Sequence, residues 1–396
     1  MSFQNPVFIP GPTNMPECLR RACDMPTLDH RSSLFAEILH PARDGVRQVM
    51  KASDAEIFIF PSTGTGGWET AITNTLSRGD TVLAARNGMF SQKWIDMCQR
   101  HGLNVKIVEA AWGEGIPTDQ FEEILTADKN HQIKAVLATH NETATGVLSD
   151  IAGVRAAMSA AQHPALLFVD GVSSIGSMDF RFDDWGVDVA VTGSQKGFML
   201  PAGLGIAGFS RKAMDAAKTA GLPRTYFDIR DMSKGYAANA YPYTPAVGLL
   251  NGLKLACGML LDEGLDAVFA RHARIANGVR GAVEAWGLEL CAVRPELYSD
   301  TVSAIRTPEG FDAGRIVSHA SQNYRVAFGV GLGLVAGKVF RIGHLGSLTD
   351  VMTLSGIATA EMVMADLGLD ITLGSGVAAA QEIYRSTAAP MVLAAE

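Results

Sequence analysis

Short apolar runs bounded by glycine or polar residues alternate along much of the chain with longer stretches in which apolar positions recur at helical spacing. A strand covered on both faces reads as a continuous apolar run, and a covering helix shows one apolar face, so this alternation predicts βαβ units around a mostly parallel sheet. Strands are expected at Glu56–Phe60, Thr81–Ala85, Val105–Val108, Ala135–Thr139, Ala165–Val169, Val187–Thr192 and Gly205–Phe209. Helices are expected at Gly67–Leu76, Ser91–His101, Thr118–Ala127, Asp150–Ala161 and Lys212–Thr219. The class is therefore α/β.

Further on, a long helical pattern covers Thr244–Leu261, an Arg- and Ala-rich helix covers Phe269–Trp286, and short strands are expected near Ala304 and Val339. The shift predicts a smaller C-terminal unit, with residues 21–264 forming the large one and 265–396 the small one. Pro6, Pro10, Pro12 and Pro16 interrupt the opening stretch, so residues 1–20 are expected as an extended arm with no regular helix. No internal repeat or low-complexity linker breaks the chain.

Composition narrows the function classes. At 396 residues, with 47% hydrophobic and 19% charged positions, the chain is long enough for two packed units around a shared interior. A net charge of -8 offers no source for the phosphate attraction that nucleic-acid binding requires. The five cysteines, Cys18, Cys23, Cys98, Cys257 and Cys291, lack the paired spacing of zinc or redox sites and read as reduced thiols, and no metal site is expected. Val187–Phe209, the most apolar long stretch, contains Asp188, Lys196 and Pro201, so no membrane span is predicted. Met1–Pro6 does not read as a signal peptide and Ala394–Glu396 is not a peroxisomal tripeptide, which leaves the cytoplasm as the expected location.

Four segments carry candidate chemistry. In Thr192-Gly193-Ser194-Gln195-Lys196-Gly197 a lysine follows a strand and precedes an apolar turn. Stripped of hydration, its amine would stay neutral and could form an imine with an aldehyde; otherwise it is a solvated loop lysine. Leu166–Ser174 places Asp170 directly after an apolar run, 26 positions before that lysine. Such an acid lies where open α/β sheets bind ligands and could hold a pyridinium nitrogen protonated; the alternative is a turn or N-cap aspartate. Pro61–Glu69, with Ser62-Thr63-Gly64-Thr65-Gly66-Gly67, is a glycine- and hydroxyl-rich turn between strand and helix. It suits a phosphate monoester, and it matches neither a Walker loop nor G-x-G-x-x-G. In Lys338–Gly343, Arg341 is flanked by apolar residues, as a carboxylate-binding arginine would be, or as a strand arginine whose stem covers the core. Phosphate loop, buried acid, imine lysine and carboxylate-binding arginine, in that order, are the parts of a fold-type I pyridoxal-phosphate enzyme.

With these segments and with Pro10-Gly11-Pro12-Thr13, Asp29-His30-Arg31 and Thr139-His140-Asn141-Glu142-Thr143, the chain resembles the class V aminotransferases over nearly its whole length, most of all those that use glyoxylate. The resemblance implies the fold-type I architecture, with a seven-stranded sheet in the large domain and a small α+β domain, and pyridoxal 5′-phosphate as cofactor. It implies that Thr63, Gly64 and Thr65 lie near the phosphate, that Phe90 stacks on the ring and that Thr143 meets its polar edge. Asp170 would pair with the ring nitrogen, Val172 would pack on the other face, and Gln195 would sit beside the Schiff-base lysine, Lys196. Tyr241 and Thr244 would reach the phosphate of a neighbouring subunit, making a homodimer, or a higher homo-oligomer, with sites at the interface. Arg341 would bind the substrate α-carboxylate. Phe90 and Thr65 stand where some relatives have tryptophan and histidine.

The implied reaction is ping-pong: an amino acid gives its nitrogen to the cofactor, and glyoxylate then leaves as glycine. L-Serine or L-aspartate is the expected donor ahead of L-alanine. The second carboxylate of aspartate would need a cation, for which His30, Arg31 and Arg325 are candidates. Two alternatives stand beside this reading, a class V cysteine desulfurase or lyase, with Cys291 as the cysteine to examine, and a nucleotide-binding α/β regulatory protein.

Overall fold

The computed structural model describes residues 6–387; the Met1–Asn5 start and the Ala394–Glu396 end lie outside the described residues. In chain order the elements begin with β1 (Val7–Phe8), α1 (Glu17–Cys23), α2 (Ser33–Val49), β2 (Glu56–Ser62), α3 (Gly64–Thr75), β3 (Thr81–Arg86), α4 (Met89–Arg100), β4 (Asn104–Glu109) and α5 (Thr118–Ala127). They continue through β5 (Ile133–Thr139), β6 (Asn141–Glu142), β7 (Val147–Leu148), α6 (Ile151–Ala160), β8 (Leu166–Asp170), β9 (Val189–Gly193), β10 (Gly203–Phe209), α7 (Arg211–Ala216), α8 (Ile229–Ala237) and α9 (Val247–Glu263). Beyond Gly264 come α10 (Leu265–Ala285), β11 (Val302–Arg306), α11 (Gly314–His319), β12 (Ala327–Val330), β13 (Val339–Gly343), α12 (Asp350–Asp366) and α13 (Ser375–Ser386).

The main sheet has seven strands in the order β2-β10-β9-β8-β5-β3-β4. Only β10 runs against its neighbours, β2 and β9; the remaining pairs are parallel. The seven expected strands are these seven. Every residue of β8 and β9 is buried, as strands roofed by helices on both sides must be. This topology gathers the carboxyl ends of β2, β3, β5, β8 and β9, with the amino end of β10, along one edge. Ligands of open α/β sheets bind at that edge.

A four-stranded sheet, β1-β12-β13-β11, forms the second layer system; α10 and α11 contact its strands, and α12 and α13 pack on α10. Apolar residues collect in two large clusters. One runs from Leu19 to Val268, and the other joins Phe8 to residues from Ile275 onward.

The opening segment differs from its expectation. It is not extended throughout, because α1 begins at Glu17, immediately after Pro16. A proline needs no helical hydrogen bond of its own at a helix start, so Pro16 can precede the helix rather than prevent it. Glu17 then meets Arg20 at 2.6 Å and Arg21 at 3.0 Å in the first turns. Further upstream, Val7 and Phe8 pair in parallel with Ala327 and Phe328. The Phe8 ring is fully buried in the smaller cluster, 6.0 Å from that of Phe328, and a Cβ on Gly356 would lie 2.7 Å from it.

Phe8 therefore anchors the arm. Phe8→Ala is expected to cost about 3 kcal/mol of stability, the usual scale for emptying an aromatic core site. A lowered denaturant midpoint with an unchanged slope would show it, and an unchanged midpoint would contradict it.

Candidate active site

Asp170 is the last residue of β8 and Lys196 follows the end of β9 by three residues, so adjacent parallel strands deliver both to the ligand-binding edge. They are 4% and 8% exposed, and loss of water dominates their chemistry. Burial pushes the Asp170 carboxyl up to about 7; the negative charge of Glu142 adds to this, while Val172 N–H, donating to Oδ1 at 2.9 Å, and the charge of Lys196 oppose it. Burial likewise brings the Lys196 amine down to about 8, helped by the positive charge of Arg341 and opposed by Asp170.

The arm roofs this pair. Lys196 Nζ donates to the Pro10 carbonyl, and Thr13 Oγ1 donates to the Lys196 carbonyl at 3.4 Å. Gly11, at φ +112°, lies so close that a Cβ there would be 2.6 Å from Lys196 Cδ. Only glycine combines that backbone with that approach.

Opposite the lysine, β2 ends and α3 begins. Thr63 is the residue before the helix, and its side chain makes no capping bond. The N–H groups of a first helical turn have no acceptor inside the helix, so this turn is open to an anion. Gly64 packs on Val172, where a Cβ would come 2.5 Å from Cγ2.

Phe90 stands in the first turn of α4, beyond β3. Thr143 follows β6, and its Oγ1 donates to Ser173 Oγ at 2.9 Å. Asn141 ties this network across to the smaller unit, its Nδ2 donating to Ser173 Oγ and Thr301 Oγ1, each at 2.8 Å.

Together these residues enclose a cavity of about 220 Å³ lined by Gly11, Pro12, Thr63, Gly64, Thr65, Trp68, Phe90, Thr143, Asp170, Val172, Gln195, Lys196 and Ala202. All nine positions that the resemblance placed around a cofactor within one chain are here. Gln195 Oε1 is buried and has no hydrogen-bond partner among the described residues.

Gly11, Pro12, Trp68 and Ala202 were not assigned beforehand, although Pro10–Thr13 stands among the resembling motifs. The residues fit pyridoxal phosphate: an uncapped helix start for a phosphate, an acid and a desolvated amine for ring nitrogen and aldehyde, and flat apolar walls at Phe90 and Val172.

Arg341, on β13, is 6% exposed and is not in the cavity wall. Its Nε and Nη1 donate to the carbonyls of Val330 and Thr143, each at 2.8 Å, and burial lowers it to about 10. Tyr241 and Thr244 are not brought to this chain's cavity. The Tyr241 ring packs edge-on to Phe35 and Tyr236 with its hydroxyl buried, while Thr244 is exposed. His30, Arg31 and Arg325 line no part of the cavity, nor does any cysteine; Cys291 is fully buried, and burial raises its thiol above the ordinary range. Among the described residues, no group of three or more His, Cys, Asp or Glu side chains could hold a metal ion, and no helix is long and apolar enough to cross a membrane.

A doubly wound sheet with a buried acid and a buried lysine at adjacent strand ends makes an α/β fold with a ligand site suited to a carbonyl compound. The chain belongs to the aminotransferase class-V family, whose model matches residues 22–310. It is 75% identical over 389 residues, 98% of each chain, to the L-aspartate–glyoxylate aminotransferase of Paracoccus denitrificans. It is 53% identical to the serine–glyoxylate aminotransferase of Hyphomicrobium methylovorum, covering 96% of this chain and 95% of that one. The structure of pyridoxamine-pyruvate aminotransferase from Mesorhizobium loti matches with a TM-score of 0.91 at 28% identity, covering 97% of this chain and 98% of that one.

The shift at Asp170 has a measurable sign. Its folded value, near 7, lies above the ordinary 3.8, so between those values the folded protein holds a proton that the unfolded chain releases, and stability falls as pH rises through that window. Asp170→Asn is therefore expected to raise the melting temperature of the cofactor-free protein at pH 8 by about 2 °C or more, with the gap closing near pH 4. Calorimetry at both pH values checks it, and a variant less stable than wild type at pH 8 contradicts it.

Proposed function

We propose that this protein is a pyridoxal-phosphate-dependent amino acid–glyoxylate aminotransferase that makes glycine, with L-aspartate as the first donor to test and L-serine as the second. The observation that carries the reading is the desolvated pair Lys196 and Asp170 in one cavity with an uncapped helix start. The 75% identity to a protein named for L-aspartate and glyoxylate supports the choice of substrates.

Pyridoxal phosphate, when bound, supplies an electrophilic aldehyde and a protonated ring that takes up the electron pair left when the substrate loses its Cα proton. The first turn of α3 at Thr63, Gly64 and Thr65 would hold the phosphate, with Gln195 beside it. Phe90 and Val172 would grip the two ring faces, and Thr143 would meet the polar edge. Asp170, oriented by the Val172 N–H, would keep a proton on the ring nitrogen.

Lys196 Nζ would take the Cα proton and return it to the carbon that carried the aldehyde. A value near 8 leaves roughly a quarter of such amines neutral at pH 7.5, against about one in a thousand at the ordinary 10.5. The roof of Gly11 and Pro12 would exclude water and limit the acceptor to a small 2-oxo acid. Arg341 would bind the substrate carboxylate, its fork already oriented by two carbonyls.

The same proposal includes a homodimer, with Tyr241 and Thr244 serving the neighbouring site, and residence in the cytoplasm. Thr244 is exposed, and the packed pair α2 and α9 presents Leu34 and Leu255 to the outside. It also divides the chain into an arm of residues 1–20, a larger unit 21–264 and a smaller one 265–396, a division that the two apolar clusters support.

The purified protein should be yellow and should form glycine from glyoxylate with L-aspartate or L-serine, and Lys196→Ala should lose activity by roughly 10²–10⁴-fold or more. A colourless wild-type protein would remove the cofactor from the reading. A yellow protein that forms no glycine with any donor would point instead to a class V lyase or desulfurase.

A further inference from the structure

Glu142 lies outside the cavity wall, yet it touches the elements that shape it. Its carboxylate is fully buried and accepts backbone N–H groups from two directions. Phe90 N–H reaches Oε1 at 3.2 Å and Oε2 at 3.0 Å, Ser91 N–H reaches Oε2 at 3.0 Å, and Ala144 N–H reaches Oε1 at 3.1 Å. The first two belong to the opening turn of α4, and the third belongs to the turn that carries Thr143.

Helix α4 has Gly88 before its first residue, and glycine has no side chain with which to cap a helix. The reason for that glycine is space. Gly88 has φ 178°, extended backbone open to any residue, but a Cβ there would lie 2.1 Å from Glu142 Cγ. The chain thus leaves out the local cap and brings a carboxylate from 54 positions away into its place.

We propose that Glu142 is a positioning residue for the reaction: its carboxylate pins the start of α4 and the β6–β7 turn together, fixing the ring of Phe90 and the hydroxyl of Thr143 at the cofactor. The inference rests on the functional reading above. A neutral isostere cannot substitute, because both carboxylate oxygens accept N–H groups and an amide nitrogen in either place would face a donor. The charge is also felt at Asp170 and at Arg341, in both cases favouring the protonated group, which places Glu142 within the electrostatic circle of the site.

The test uses the full-length protein freed of cofactor and retitrated with pyridoxal phosphate, followed by absorbance and fluorescence, in a cycle of wild type, Glu142→Gln, Phe90→Ala and the double variant. Glu142→Gln should weaken binding roughly tenfold, the scale of one charge-assisted hydrogen bond, and should do so less than about twofold once Phe90 is absent. In the cofactor-free proteins, hydrogen exchange should rise in the peptide spanning residues 88–92 of Glu142→Gln. Glu142→Asp, which keeps the charge but is one methylene short, carries the same expectation if the glutamine variant does not fold. Equal losses with and without Phe90, or unchanged exchange at 88–92, would overturn the inference while leaving the proposed function standing. A wild-type protein that takes up no cofactor would remove both.

Discussion

Exclusion of water from the edge where β8 and β9 end is the constraint on which the rest of the site depends. Asp170 and Lys196 move in opposite directions, the acid up and the amine down, and for both the largest cause is the same loss of solvation. Neither shift requires a dedicated charged partner. It requires a roof, which the Pro10–Thr13 segment supplies, and side walls, which Phe90, Trp68 and Val172 supply. The acid and the base are thus set by one structural fact, and a change that admitted water would disturb both at once.

Backbone does much of the holding that side chains might be expected to do. Carbonyls of Pro10, Thr143 and Val330 receive the lysine and the arginine, and the first turn of α3 offers N–H groups to a cavity whose described lining has Lys196 as its one cationic side chain. Such groups keep a fixed charge at any pH and lose no rotamer entropy on binding. Their cost is the need for close approach, visible at Gly11 and Gly64, where a single Cβ would collide with Lys196 or Val172. Arg341 shows a further use of the same device, since its two carbonyl partners lie in different units and its guanidinium ties one to the other.

Six of the seven strands of the main sheet were legible because they are largely buried and read as nearly unbroken apolar runs, while β4, at the sheet edge and mostly exposed or half-buried, was legible from the apolar residues around Lys106. The Thr63–Thr65 turn, Asp170 and Lys196 were legible because they lie at the ends of those runs, where loop residues face the ligand edge, whereas Phe90, Thr143, Val172 and Gln195 were assigned only through the family resemblance. Other features were hidden for identifiable reasons. Helix α2 carries Pro41 within its span, which breaks the periodic pattern, and β1 is two residues long. Prolines concealed the start of α1. Arg341 could be read as a fork for a carboxylate or as a strand arginine. Its carbonyl partners, 11 and 198 positions away, appear only in three dimensions. Glu142 sat in a motif with no assigned role because two of its partners, Phe90 and Ser91, lie 52 and 51 positions earlier.

The pairing of Val7 and Phe8 with Ala327 and Phe328 makes the beginning of the molecule wait for its end. During synthesis the main sheet can assemble from contacts close in sequence, but the opening segment has no edge to join until the chain has grown past β12. The roof over Lys196 is thus tied to the sheet of the smaller unit, and a chain cut short of β12 would lack the edge that β1 joins.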